Sequence, residues 1–432
     1  MTTLEKIYRI FLENPLAITD SRHVQKGAIF FALKGDNFDG NRFAIDAVNQ
    51  GCVAAIVDNP HIVDDRCIYV ENVLETLQNL STLHRKSIGV KVLAITGSNG
   101  KTTTKELIKS VLSEKYNVYA TKGNLNNHIG VPLTLLSLTK EIDIAVVEMG
   151  ANHPGEIKQL SNIAMPDYGI ITNIGRAHLE GFGSFEGVKQ TKGELYRYIA
   201  EHKGCVFYNP NNEYLNDIIN QYGLRDYSIP YAKDLGVISI DTTALSPYLC
   251  IRVKPAENSD PFIIQTSLVG SYNFENVLAA ITVGHYMGIS LEMIKEALED
   301  YTPSNSRSQL VKTNYNTVIL DAYNANPSSM EVSIKNFSSY NGNQKIVIIG
   351  EMLELGDYAE EEHKRVVELV KSSGFYLAIF VGKGFKNETK DYLYFPDSES
   401  CAQYLKVHPI HNSLILLKGS RGVKLERVME SL

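Results

Sequence analysis

The stretch TGSNGKTTTKE, residues 96–106, decides how the chain is read. The usual phosphate-binding loop is Gly, four residues, then Gly-Lys-Ser/Thr. Counting back from Gly100, Lys101 and Thr102 places its first glycine at position 95, where the chain has Ile95. The glycine comes instead at Gly97, leaving Gly-x-x-Gly-Lys-Thr. Upstream, KVLAIT (91–96) is a compact apolar run; downstream, KTTTKELIKSVLSEKY (101–116) has helical spacing. The loop therefore joins a buried strand to a helix N-terminus, where free N–H groups and the helix dipole favour phosphate. Lys101 would reach terminal phosphates, and the Thr102 hydroxyl suits Mg2+. A glycine turn before a capped helix is the competing reading, and the strand–loop–helix setting disfavours it.

Two further strands bring polar groups to the same edge. IDIAVVEMGAN (142–152) carries Glu148 at the end of an apolar run, and IITNIGRAHLEGFGS (170–184) carries His178 just beyond one. Ligands bind at the carboxyl ends of parallel strands in open α/β sheets. A lone strand-end Glu or His is ordinarily structural; with Lys101 at the same edge, a shared crevice is the better account. Glu148 is placed to hold Mg2+ opposite Thr102.

Outward from this centre, 432 residues suggest two to four domains. A net charge of −7 argues against bulk nucleic-acid or anionic-membrane binding. Five cysteines lie far apart without a CxxC, which fits a reducing compartment better than a disulfide framework or a zinc site. The opening MTTLEKIYRIFLENP reads as an amphipathic helix and not a signal peptide, and no apolar run is long enough to span a bilayer. A cytoplasmic protein without membrane insertion is expected.

Residues 1–88 read as a small α/β unit with strands in GAIFFALKG, CVAAIVD and CIYVEN, and helices in FAIDAVNQG and LETLQNLSTLHRKS. Residues 89–302 alternate buried strands with helices, which implies a mostly parallel sheet covered on both faces. Within them GVISID, YLCIRVK and FIIQTSLV look like an antiparallel patch, followed by helices NFENVLAAITVGHYMG and SLEMIKEALEDY. TPSNS (302–306) has linker composition. Residues 303–432 form a third α/β series on TVILDAY, KIVIIG, LAIFVG and SLILLKG.

With the shortened loop, the segments EMGAN, TNIGRAH, KGEL, YNFEN, SRSQ, LDAYNANPSSM and LKGSRG occur in an order that resembles the Mur ligase family. These are ATP-dependent amide-forming enzymes of peptidoglycan synthesis. The resemblance implies three α/β domains: a UDP-substrate module (1–88), a central P-loop-type ATPase domain (89–302) and a Rossmann-like C-terminal domain (303–432). EMGANHPGEI and DAYNANPSSM resemble the branch that adds a dipeptide. The third-residue-adding branch carries Asp-Asn-Pro-Arg in its last domain; here the run at Asp58–Pro60 precedes His61 in the first. The implied substrates are UDP-N-acetylmuramoyl-tripeptide and D-alanyl-D-alanine, used by a monomer. A folate polyglutamate synthase and a non-enzymatic P-loop switch are the rivals.

The resemblance also assigns roles residue by residue. Gly97, Ser98, Asn99, Gly100, Lys101, Thr102 and Thr103 would cradle ATP, with Asn273 and Asn276 contacting the nucleotide. Thr102, Glu148, His178 and Lys192 would serve two Mg2+, Lys192 as a carbamate. Arg307 would touch the phosphates and Asp321 the ribose. Ser21 and Arg22 would contact the UDP end; Tyr323, Asn324 and Asn326 would hold the dipeptide. Lys101, His178, Lys192 and Arg307 are the expected catalytic groups.

Overall fold

The computed structural model describes residues 1–240, 247–255, 260–303, 307–340 and 344–432. Three parallel-rich sheets follow one another along the chain. The linker reading at 302–306 and the strand ending at Asp241 extend partly outside the described residues, at 304–306 and 241.

The first sheet runs in the order Ala17–Ile18, Ile29–Phe31, Ala54–Val57, Cys67–Tyr69, all parallel. The reading of GAIFFALKG as one strand needs correction. The strand stops at Phe31, and Lys34–Gly35 pairs back with Phe38–Asp39 as a tight hairpin. The next residue, Gly40, shows why the chain turns there: a Cβ on it would lie 2.6 Å from the Leu33 carbonyl oxygen. Helix Thr3–Glu13 opens the unit with a capping box between Thr2 and Glu5 and buries Ile7 and Phe11 against the sheet cluster.

The central sheet has six parallel strands in the order Ser228–Pro230, Cys205–Tyr208, Tyr168–Ile171, Lys91–Thr96, Ile144–Glu148, Val118–Ala120. Strand Lys91–Thr96 alternates faithfully: Val92 and Ala94 enter the core on one face, Leu93 and Ile95 that on the other. Each fully buried Val, Leu or Ile contributes about 1.5–3 kcal/mol of transfer free energy. Position 95 is thus a strand residue in the core, and the phosphate loop cannot begin before Gly97.

Chain order reverses about this strand: the connections run first to one side, through Val118–Ala120 and Ile144–Glu148, and then to Tyr168–Ile171 on the other. Such a reversal opens a crevice at the strands' carboxyl ends. The expected antiparallel patch is present as Gly236–Ile240, Tyr248–Lys254 and Phe262–Val269. The helices Phe274–Tyr286 and Leu291–Asp300 follow it.

The last sheet is ordered Gln309–Lys312, Thr317–Asp321, Leu414–Lys418, Lys345–Gly350, Leu377–Val381, Leu393–Phe395. Only its first pairing is antiparallel. Apolar clusters cover both faces. Among the described residues, no helix is long and apolar enough to cross a membrane.

Candidate active site

Thr96 ends its strand and the chain turns through Gly97 and Gly100, both with positive φ (139° and 79°). Neither position has room for a side chain. A Cβ on Gly97 would lie 2.0 Å from Thr172 Oγ1, and one on Gly100 would lie 2.5 Å from Asn276 Oδ1. The neighbouring strand end braces the loop further: Asn99 N–H donates to Asn173 Oδ1 (3.0 Å), and Ser98 Oγ donates to the Gly175 carbonyl (3.0 Å). Helix Lys101–Ser113 then starts on Gly100 with no side-chain cap, so its first N–H groups remain available to an anion.

Lys101 folds back over this loop, donating from Nζ to the carbonyls of Gly97 (2.7 Å) and Ser98 (3.3 Å). Burial lowers its pKa; the nearby Arg307 charge acts in the same direction, and Glu148 opposes them. One residue on, Thr102 donates from Oγ1 to Glu148 Oε2 at 2.9 Å, and Asn126 donates from Nδ2 to Oε1 at 2.8 Å. Glu148, 2% exposed, is the last residue of its strand and stands beside Ile95 in register.

A cavity of about 860 Å3 opens over these groups. Its walls include the loop from Ser98 to Thr103, Glu148 and His178 from the central domain, and Asn273 and Asn276 from helix Phe274–Tyr286 and the turn before it. Arg307, Asp321, Tyr323, Asn324 and Asn326 complete it from beyond the linker. The amides form a relay: Asn273 Nδ2 donates to the Val269 carbonyl (2.9 Å), Asn276 Nδ2 to Asn273 Oδ1 (2.9 Å), and Thr104 Oγ1 to Asn276 Oδ1 (3.0 Å). Asn276 thereby packs on Gly100 and fixes the loop from behind.

The C-terminal side is equally ordered. The guanidinium of Arg307 stacks over the Tyr323 ring at 3.7 Å, and its buried Nε has no hydrogen-bond partner among the described residues. Asp321 accepts from Lys418 Nζ at 2.7 Å, a pairing set by their adjacent places in parallel strands. Asn324 Oδ1 accepts the Ala325 N–H at 2.9 Å. Asn326 caps helix Pro327–Ser339 and donates from Nδ2 to Asn99 Oδ1 at 2.8 Å, which brings the two domains into direct contact. Arg176 N–H donates to Ser328 Oγ at 2.8 Å beside it.

His178 reaches the cavity from a left-handed backbone position (φ 51°), and its Nδ1 pairs with Glu354 of the C-terminal domain, also left-handed (φ 62°). That pairing lowers the Glu354 pKa. Lys192, 1% exposed, lies outside the cavity wall. Its Nζ approaches the Ala151 carbonyl at 3.4 Å and the Phe182 ring at 5.1 Å. Burial first, then the Lys101 charge, pushes its pKa well below the ordinary lysine value. Gly97 likewise lies behind the wall, as the turn that shapes it. Ser21 and Arg22 are not brought to this cavity. They occupy a turn of the first domain, Ser21 half-buried and Arg22 exposed, where Arg22 is bound to Asp20 at 2.7 Å.

Four groups escaped the sequence reading. Asn126 and Lys105 contact Glu148, Lys418 holds Asp321, and Glu354 holds His178. Lys105 and Lys418 lie inside the quoted motifs; Asn126 sits in a loop with no periodic signal.

The comparisons with known proteins agree with this arrangement. The family described as Mur ligase family, catalytic domain, matches residues 18–96. The Mur ligase middle domain matches residues 95–284, and the Mur ligase glutamate ligase domain matches residues 306–421. The chain is 35% identical to the UDP-N-acetylmuramoyl-tripeptide–D-alanyl-D-alanine ligase of Bacillus subtilis, covering 96% of this chain and 92% of that protein. The crystal structure of MurF from Acinetobacter baumannii superposes with a TM-score of 0.87 at 31% identity, covering 96% and 92% of the two chains. MurF ligase from Thermotoga maritima, solved in complex with ADP, gives 0.84 at 27% identity and 97% coverage of both. The chain belongs to the Mur ligase family.

Proposed function

We propose that this enzyme joins D-alanyl-D-alanine to UDP-N-acetylmuramoyl-tripeptide at the expense of ATP. The observation that carries the reading is the single cavity in which an open phosphate loop faces Arg307, Asp321 and Tyr323 of another domain. A nucleotide switch has no need of such a second wall. A folate-type ligase has no need of the UDP-type first module.

The peptide's terminal carboxylate attacks the γ-phosphorus of ATP; the bond from that phosphorus to ADP breaks, ADP leaves and an acyl phosphate remains. The dipeptide amine then attacks the acyl carbon; phosphate departs and the amine gives up its proton. The chain's part is positioning and charge neutralisation. Lys101 and the helix N-terminus hold the phosphates, and Arg307, whose Nε has no partner among the described residues, meets them from the opposite wall. Asp321, anchored through Oδ2 by Lys418, presents its other oxygen to the ribose. Tyr323, Asn324 and Asn326 flank the dipeptide. Ser21 and Arg22 contact the distant UDP end. We divide the chain into domains at 88/89 and 302/303. One chain lines this cavity, which supports a monomeric enzyme, and the use of ATP and a UDP-linked substrate supports a cytoplasmic one.

The donors near the loop suit Mg2+, which takes oxygen ligands and prefers to share them with phosphates and water. Thr102 and Glu148 would hold one ion; His178, a nitrogen donor and so the exception in this oxygen set, would serve a second. Bound there, Mg2+ would offset phosphate charge. We assign a carbamate to Lys192: burial depresses its pKa and favours the neutral amine, which adds CO2 and releases a proton. Lys192→Ala should inactivate, with partial rescue by short carboxylic acids. An unmodified Lys192 in fully active, CO2-equilibrated enzyme would contradict the assignment.

Phosphate release from ATP, measured with UDP-N-acetylmuramoyl-tripeptide and each candidate acceptor, tests the main reading. Release that depends on D-alanyl-D-alanine supports it. Slow release indifferent to the acceptor would favour the switch, and release that requires a folate donor together with glutamate would favour the folate-type ligase.

A further inference from the structure

We propose that Lys105 is a positioning residue for the nucleotide site, holding Glu148 in its working place and supplying its counter-charge. Lys105 lies one turn after Lys101 on the same helix, and it is fully buried at 0% exposure. Lysine is almost never fully buried unless paired, and an apolar residue would fill a core position at less cost. Its Nζ donates to the Thr121 carbonyl at 2.6 Å and lies 3.0 Å from Glu106 Oε1 and 3.6 Å from Glu148 Oε2.

Thr121 closes the bracket, because its Oγ1 accepts the Glu148 N–H at 3.0 Å. Lys105 therefore controls Glu148 twice: through the backbone by way of Thr121, and through charge at the carboxylate. At 3.6 Å the ammonium exerts its field beyond ordinary hydrogen-bond length. Thr102 and Asn126 are the groups that hydrogen-bond the carboxylate oxygens. The two lysines divide the work on one helix face: Lys101 turns up to the loop carbonyls, and Lys105 turns down to hold the acid below it.

This inference rests on the nucleotide-site reading above, and the test separates the two. ADP binding is followed by titration calorimetry across a Mg2+ series and in EDTA, for the unaltered enzyme and for Lys105→Met. The Mg2+ midpoint for ADP binding should rise about tenfold in K105M, or about 1.4 kcal/mol, while affinity in EDTA stays within about threefold. A lysine that merely packs the helix would lower the melting temperature and leave that midpoint alone; a midpoint within about twofold in folded K105M overturns the proposal. If the unaltered enzyme does not bind ADP with Mg2+, the nucleotide-site reading itself fails. Should K105M not fold, the double variant Lys105→Met/Glu148→Gln removes both buried charges and should restore cooperative melting. No recovery in the double variant would contradict the pairing.

Discussion

Asn326, N-cap of the helix Pro327–Ser339, donates its side-chain amide to Asn99 of the glycine loop at 2.8 Å. The residue that starts a helix in one domain thus touches the phosphate loop of another. With Arg176 on Ser328 and Glu362, and His178 on Glu354, it docks the C-terminal domain across the cavity. Docking of this kind shelters a divided site from water.

Beside the dipeptide contact proposed for it, Asn326 therefore has two separable structural duties. Asn326→Ala removes the cap, costing about 1 kcal/mol, and breaks the bridge to Asn99. Asn326→Ser keeps a good cap but is too short to bridge. The serine variant should melt close to the unaltered enzyme yet turn over about tenfold more slowly. Thermal melts beside steady-state rates check this; equal rates would leave Asn326 with the cap alone.

Gly97→Ala should destroy nucleotide binding. A Cβ at φ 139° and 2.0 Å from Thr172 Oγ1 forces the loop off its brace. Backbone strain of this kind costs about 1–3 kcal/mol, and the clash adds to it. Calorimetric titration with ADP should show no binding. Unchanged affinity would mean that the loop tolerates another shape.

Arg307→Lys keeps the charge but loses the planar stack on Tyr323 and the forked donors. kcat/KM for ATP should fall about tenfold to a hundredfold, with a smaller change in KM for the UDP-linked peptide. Equal loss for every substrate would point to a general packing role.

How much of this was legible beforehand depended on the strength of the local signal. Strands with long apolar runs, such as KVLAIT and KIVIIG, stand where their patterns put them. The short edge strands Ala17–Ile18, Val118–Ala120, Ser228–Pro230 and Leu393–Phe395 have two to three residues each, too few to show a period. The loop, Glu148 and His178 were readable because each follows an apolar strand. Asp321 ends an apolar strand as Glu148 does, but its role, like that of Arg307, needed the family resemblance, since nothing local says that a residue faces another domain. The links Asp321–Lys418, Glu148–Lys105 and His178–Glu354 are contacts between distant segments, and a linear pattern carries no trace of them.

His363 gives the fold a pH dependence. It is 2% exposed, with Nδ1 on the Ala359 carbonyl and Nε2 accepting the Met352 N–H at 3.0 Å, so it steadies the segment that carries Glu354. Burial is the first cause of its lowered pKa. The unfolded chain accepts a proton near the ordinary value of about 6.5, while the folded chain resists until lower pH. The stability contribution is therefore complete above that value and is lost as pH falls through it towards the folded pKa. Chemical-denaturation midpoints at pH 7.5 and 5.5 should drop more for the unaltered enzyme than for His363→Gln, which cannot take the proton. Parallel drops would refute the assignment.

The bond that is made defines the enzyme, and the mass of the product reads that bond. The enzyme is incubated with ATP, Mg2+, UDP-N-acetylmuramoyl-tripeptide and D-alanyl-D-alanine, and the UDP-linked species are weighed by mass spectrometry. The expected product is heavier by one D-alanyl-D-alanine less one water, formed mole for mole with ADP and phosphate and absent with Lys101→Ala. ADP formed without that product, or the same product from Lys101→Ala at the full rate, would contradict it.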